Sequence, residues 1–138
     1  MIDLHEVLSS ARVVAVVGCS DNPVRTSYRI ANYLIEAGYE MIPVNPNHPE
    51  VLGKKCYPDL LSVPEDVQVD IVDIFRNSRY SAEAVEDTVR FAAERNQKPV
   101  VWTQIGVSSP DAKRRTLEAG LKYVENRCIM VEHRRLFK

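Results

Sequence analysis

Val13-Val14-Ala15-Val16-Val17-Gly18-Cys19-Ser20-Asp21-Asn22-Pro23 is the stretch that decides the fold of this chain. An unbroken apolar run rich in valine suits a strand buried on both faces. Gly18 ends the run, and a helical pattern follows over Ser27 to Ala37. Ile30, Ala31, Leu34 and Ala37 form its apolar stripe, and Gly38 stands at the C′ position that closes a helix. Tyr39 to Val44 then reads as a second strand. Strand, glycine turn, helix and returning strand make a βαβ unit. Such a unit aims the backbone N–H groups of its first turn, and a helix N-terminus, at an anion.

The same alternation continues on both sides. Asp3 to Ser10 reads as a short leading helix with Leu4, Val7 and Leu8 on one face, and Arg12 to Val17 as the first strand. Asn45 to Pro58 is rich in turn residues, and Leu60-Leu61 suit a short helix. Val69 to Phe75 is a third strand. Ser81 to Arg95 is a helix with Ala84, Val85, Thr88, Val89 and Ala92 as its stripe. Glu83, Glu86 and Asp87 lie toward its N-terminal end, where the helix dipole favours acids. Pro99 to Thr103 is a fourth strand. Ser109-Pro110 is a cap followed by proline at N1, opening a helix that ends at Gly120. Leu121 to Val124 is a fifth strand. The tail from Cys128 to Lys138 is apolar, then basic, and is expected to pack across a sheet edge. The pattern predicts one α/β domain over 1–138: a Rossmann-like, doubly wound, mainly parallel five-stranded sheet with helices on both faces and no short antiparallel hairpins. Ligands of such sheets bind beyond the carboxyl ends of the strands. Four loops are expected to meet there: Gly18 to Thr26, Asn45 to Lys55, Arg76 to Tyr80, and Gln104 to Ser108.

Composition narrows the partners. Net charge is −1, so no nucleic-acid or membrane surface is expected. The run from Val13 to Val17 is too short to span a bilayer, and the N-terminal residues lack a signal-peptide pattern, which implies a cytoplasmic protein. The 3 cysteines, Cys19, Cys56 and Cys128, form no CxxC pair, and the 3 histidines have no metal-site spacing.

The dinucleotide fingerprint G-x-G-x-x-G falls on Gly18, Ser20 and Pro23, so only its first glycine is present. The acid that reads an NAD ribose belongs at the end of the second strand, where this chain has Val44-Asn45-Pro46. No arginine stands there for an NADP phosphate, and no Walker A lysine occurs. What remains suits another adenine nucleotide. Gly18 permits close backbone approach, Ser20 can donate to a phosphate, and Ser27 is placed to cap the helix or bind the same phosphate. Arg25, Lys54 and Lys55 add positive charge. Coenzyme A needs such charge twice, at its pyrophosphate and at its 3′-phosphate.

Several segments carry a resemblance to a known family. They are Val16-Val17-Gly18-Cys19-Ser20, Ser27-Tyr28-Arg29-Ile30-Ala31, Gly38-Tyr39, Ile42-Pro43-Val44-Asn45-Pro46, Asp73-Ile74-Phe75-Arg76, Val101-Trp102-Thr103-Gln104-Ile105-Gly106 and Asn126 to His133. With these the chain resembles the small, stand-alone CoA-binding proteins, which are similar to the N-terminal domain of the succinyl-CoA synthetase alpha subunit. The resemblance implies a path for CoA. Gly18, Cys19, Ser20 and Arg25 would surround the pyrophosphate. Val44, Asn45 and Pro46 would border the adenosine. Phe75 and Arg76 would follow the ligand onward, and Gln104, Ile105 and Gly106 would border the pantetheine arm. The synthetase carries its phosphorylated histidine in a second domain with no counterpart in this sequence, so its chemistry is not carried over.

Binding of CoA or an acyl-CoA without catalysis is therefore the first reading, for a carrier, sensor or regulator. The alternatives are an NAD(P)-binding redox protein, or an acyl-CoA enzyme completed by a partner. A homo-oligomer or a partner protein is compatible with the sheet edge near the tail. Cys19 reads most simply as a small residue filling the turn, with a mixed disulfide to CoA as the reactive alternative. Arg76 is open between ligand contact and a salt bridge to Asp73 or Asp21. Trp102 and Cys128 read as core and His133 as structural. His48 is the only histidine in the four loops.

Overall fold

The computed structural model describes residues 2–137, so Met1 and Lys138 of the expected domain lie outside the described residues. The expected sheet forms. Strands β1 (Val13–Val17), β2 (Glu40–Val44), β5 (Ile71–Ile74), β6 (Val100–Thr103) and β7 (Tyr123–Val124) lie in the order β2-β1-β5-β6-β7. Every pairing among them is parallel. The helices are α1 (Leu4–Ser10), α2 (Thr26–Glu36), α3 (Ser81–Arg95), α4 (Pro110–Glu118) and α5 (Ile129–Leu136).

Alternation along the strands divides the core in two. Ala15, Ile42, Val72, Ile74, Val101 and Tyr123 pack with Val85 and Phe91 of α3 and Ala112 of α4. Val14, Val16, Met41, Ile71, Trp102 and Val124 pack with Leu8 of α1, Ile30 and Leu34 of α2 and Ile129 of α5. Helices thus cover both faces. The polar groups between layers are tied down. Gln97 accepts from the Val69 N–H and donates to the Val67 carbonyl, both at 2.9 Å. Buried Trp102 donates its indole N–H to the Arg127 carbonyl at 2.8 Å.

Two expectations are corrected. A short antiparallel hairpin does exist: β3 (Glu50–Val51) pairs with β4 (Lys54–Lys55) through Leu52 and Gly53, both at positive φ. Two-residue strands are too short for a period-2 pattern to show, and Leu52-Gly53 lacks the usual asparagine or aspartate turn signal. The tail does not lie across a sheet edge. It forms α5, which packs against α1 and α2 on one face of the sheet and buries Ile129 beneath it. No helix of the described residues is long and apolar enough to cross a membrane.

Candidate functional site

The sheet order makes β1 the switch point. The chain leaves β1 toward β2 on one side, while β5 lies on the other, and a crevice opens between the carboxyl ends. Gly18 sits in that crevice. Its N–H donates to the Val44 carbonyl at 2.8 Å, and the Phe75 N–H donates to the Val17 carbonyl at 2.8 Å, so the ends of β2 and β5 are both fastened to β1. Gly18 has φ +86°, and a Cβ there would lie 2.6 Å from the Phe75 carbonyl oxygen. Only glycine fits, for both reasons.

Beyond Gly18 the loop is held by its own polar groups. The Ser20 N–H donates to Ser27 Oγ at 3.0 Å, and the Asn22 N–H donates to Ser20 Oγ at 3.0 Å. Both hydroxyls act as acceptors here, which leaves each O–H free to donate. Asn45 donates from Nδ2 to the Cys19 carbonyl at 3.0 Å and accepts from the Asn47 N–H at 2.9 Å, so its side chain braces two loops. Helix α2 then begins with Arg25 at the N-cap and no side-chain cap. The first-turn amides therefore keep unsatisfied hydrogens, and the dipole adds positive potential. Ser27 is corrected from the capping role. It lies inside the first turn, buried, and orders the loop through Ser20.

Three adjoining cavities run along the carboxyl end. The first, about 280 Å³, is lined by Gly18, Val44, Asn45, Pro46, Leu60, Arg76 and Asp87 among others. The second, about 580 Å³, is lined by Gly18, Ser20, Arg25, Thr26, Ser27, Asn45, His48 and Phe75. The third, about 370 Å³, is lined by Thr26, Phe75, Arg76, Gln104, Ile105, Gly106 and Cys128. Gly18 and Asn45 border the first two, Thr26 and Phe75 the last two, and Arg76 the first and third. The cavities thus adjoin one another and together form the groove region at this end of the sheet. Ile105 stands at its rim, 68% exposed.

The groove gathers Gly18, Ser20, Arg25, Ser27, Val44, Asn45, Pro46, Phe75, Arg76, Gln104, Ile105 and Gly106. Two expected residues are not among its lining. Lys54 is exposed on β4 of the hairpin. Cys19 is wholly buried behind the turn, and burial, with the fields of Cys56 and Asp73, pushes its thiol up to about 12. That favours the filler role and disfavours a reactive thiolate. Cys128 is half-buried, packs against the core cluster under α5 and also lines the third cavity. Gln104 is buried, and its carbonyl accepts from the Ile129 N–H at 3.1 Å, which anchors α5 to the end of β6.

Arg76 forms no salt bridge with Asp73 or Asp21. It lies over the Tyr80 ring at 5.7 Å. Asp21 faces His48 Nδ1 at 3.4 Å. Asp73 is fully buried with no hydrogen-bond partner on either oxygen among the described residues, and burial holds its carboxyl well above the ordinary carboxylate range. Sequence reasoning missed Asp59, Leu60, Ala84 and Asp87 as lining residues, and covered Thr26 and Asn47 only as members of the expected loops. Asp87 had a legible signal. It follows Ala84 of the apolar stripe by three positions, so it stands on the border of the buried face.

Comparison with known proteins follows the same outline. A family described as CoA binding domain matches residues 12–134. The uncharacterized protein YneT of Bacillus subtilis is 36% identical over 131 residues, which is 95% of this chain and 92% of that one. ADP-forming acetate–CoA ligase II of Archaeoglobus fulgidus is 30% identical over 117 residues, 80% of this chain but only 16% of the ligase. The solved structure of a hypothetical protein from Pyrococcus horikoshii OT3 superposes with a TM-score of 0.89 at 39% identity, covering 99% of this chain and 91% of that one.

Proposed function

The chain belongs to the CoA binding domain family, and from that premise we propose that it binds coenzyme A or an acyl-CoA without transforming it. The observation that carries the reading is the set of adjoining cavities around Gly18 together with the uncapped first turn of α2. The pyrophosphate lies against the α2 amides, Ser20 and Arg25, where a helix N-terminus and a guanidinium both favour an anion. The adenosine occupies the cavity beside Val44 to Pro46. The pantetheine arm follows Phe75 and Gln104 to Val107, over a largely apolar surface. The protein then serves as a carrier, sensor or regulatory protein in the cytoplasm.

The test is a thermal-shift and calorimetric titration with CoA, acetyl-CoA, NAD and NADP. A ligand at 100 times its dissociation constant stabilises the fold by about 2.7 kcal/mol. Stabilisation by CoA or acetyl-CoA, with none from NAD or NADP, is the expected result. Stabilisation by NAD or NADP alone would overturn the reading.

A further inference from the structure

The cavity beside β2 is lined by two charged side chains that form no ion pair among the described residues. Asp59 Oδ1 accepts from the Ser62 N–H at 2.9 Å and from the Ser62 hydroxyl at 2.8 Å, and the Asn45 amide braces its loops. Arg76 and Asp87 differ. Neither forms an ion pair within 4.0 Å among the described residues, although both line this cavity. Burial raises the Asp87 carboxyl, while the field of Arg90, and more weakly that of Arg76, lowers it without a direct bond to either.

A cation and an acceptor that share a cavity without touching match a ligand with an anion and a donor on neighbouring atoms. A sugar phosphorylated at one carbon, with a free hydroxyl on the next, has that arrangement. In dinucleotide-binding sheets the acid that reads a ribose hydroxyl comes from the end of the second strand. Here that position is Asn45, and its side chain is engaged. Asp87 offers a carboxylate to the same cavity from α3.

We propose that Arg76 and Asp87 together read a 3′-phosphorylated ribose: the guanidinium takes the 3′-phosphate, and the carboxylate accepts a hydrogen bond from the adjacent 2′-hydroxyl. The proposal rests on the CoA reading and refines it. It gives the 3′-phosphate contact to Arg76, since Lys54, one of the basic residues expected to add charge near the phosphates, lies outside the cavity lining. It also makes the site selective. A 2′-phosphate would meet the Asp87 charge and be rejected.

Calorimetric titration of wild type, Arg76→Ala, Asp87→Ala and Lys54→Ala tests it. The probes are CoA, adenosine 3′,5′-bisphosphate, its 2′-deoxy analogue, adenosine 2′,5′-bisphosphate and adenosine 5′-monophosphate. Wild type should favour the 3′,5′-bisphosphate over its 2′-deoxy analogue, and over the monophosphate, by about tenfold each. It should bind the 2′,5′-isomer more weakly than the 3′,5′-isomer. Asp87→Ala should abolish the first preference and relax the isomer preference. Arg76→Ala should abolish the preference over the monophosphate, and Lys54→Ala should change none of them. Asp87 and Lys54 are exposed, so their truncation spares the fold, and thermal melts check all three variants. Wild-type preferences that survive Arg76→Ala and Asp87→Ala would overturn the proposal while leaving CoA binding standing. Wild type that binds neither CoA nor any bisphosphate would overturn both.

Discussion

Two strand-to-helix crossings leave the same end of the sheet and are finished differently. From β1 to α2 the chain turns at Gly18, and from β6 to α4 at Gly106, with φ +86° and +82°. At α4 the helix is closed: Ser109 Oγ accepts from the Ala112 N–H at 3.1 Å, and Pro110 occupies the first turn. At α2 the N-cap is Arg25, and no side-chain cap forms among the described residues. Gly106 has open space around its Cβ position, whereas Gly18 is pressed against the Phe75 backbone. The α4 crossing is completed within the chain. The α2 crossing leaves donors and a cation to be completed by an anion. A missing cap costs about 1 kcal/mol, and it is tolerated where a ligand supplies the acceptor.

The sharpest way to break this contrast is to add a methyl group at each glycine. Gly18→Ala should destabilise the fold by about 3 kcal/mol, through strain and backbone overlap, and abolish CoA binding. Gly106→Ala should cost about 1 kcal/mol from strain alone. Urea unfolding of both variants measures the difference, and equal costs would erase it. Next in size is Arg25→Asp, which gives α2 a cap and reverses its charge. Affinity for CoA should fall about a hundredfold, while the ligand-free protein gains about 1 kcal/mol. Calorimetry and unfolding read the two effects separately. A variant that lost stability together with affinity would show that Arg25 serves the fold. Ser109→Ala should do the converse, losing about 1 kcal/mol with CoA affinity unchanged.

The smallest effect concerns the support behind α2. Tyr33 of α2 hydrogen-bonds His133 Nδ1 of α5 at 2.7 Å, and burial lowers the imidazole below its ordinary value. An imidazole that is harder to protonate when folded destabilises the fold as pH falls. Its contribution is complete above about 6.5, the unfolded value, and is lost on acidification through the folded value. His133→Gln should flatten that part of the stability-versus-pH curve. Melting temperatures taken across the acid range check this, and parallel curves would remove His133 from the account.

Most of the sheet was legible because its strands are apolar and separated by glycine, proline and cap signals. Val13–Val17, Ser109-Pro110 and Gly38 each announce their role through local chemistry. The hairpin at Glu50–Lys55 was not legible, since its strands are two residues long and polar outside Val51. The site divided along similar lines. Gly18 and the end of β2 belong to one continuous motif. The burial of Cys19, the bracing by Ser27 and Asn45, and the placing of Asp87 in the same cavity as Pro46 come from tertiary packing that no single segment encodes. Lys54 shows the limit of counting charge, because a lysine in a promising loop was carried onto the hairpin, outside the groove lining.

Amide chemical-shift mapping of the labelled protein titrated with CoA tests the central claim most directly. The account predicts that Gly18, Ser20, Thr26, Ser27 and Phe75 move together with ligand, while Ala112 and Lys113 in the capped first turn of α4 stay still. Shifts centred on the α4 turn, or on the opposite end of the sheet around Asp70 and Lys98, would contradict it.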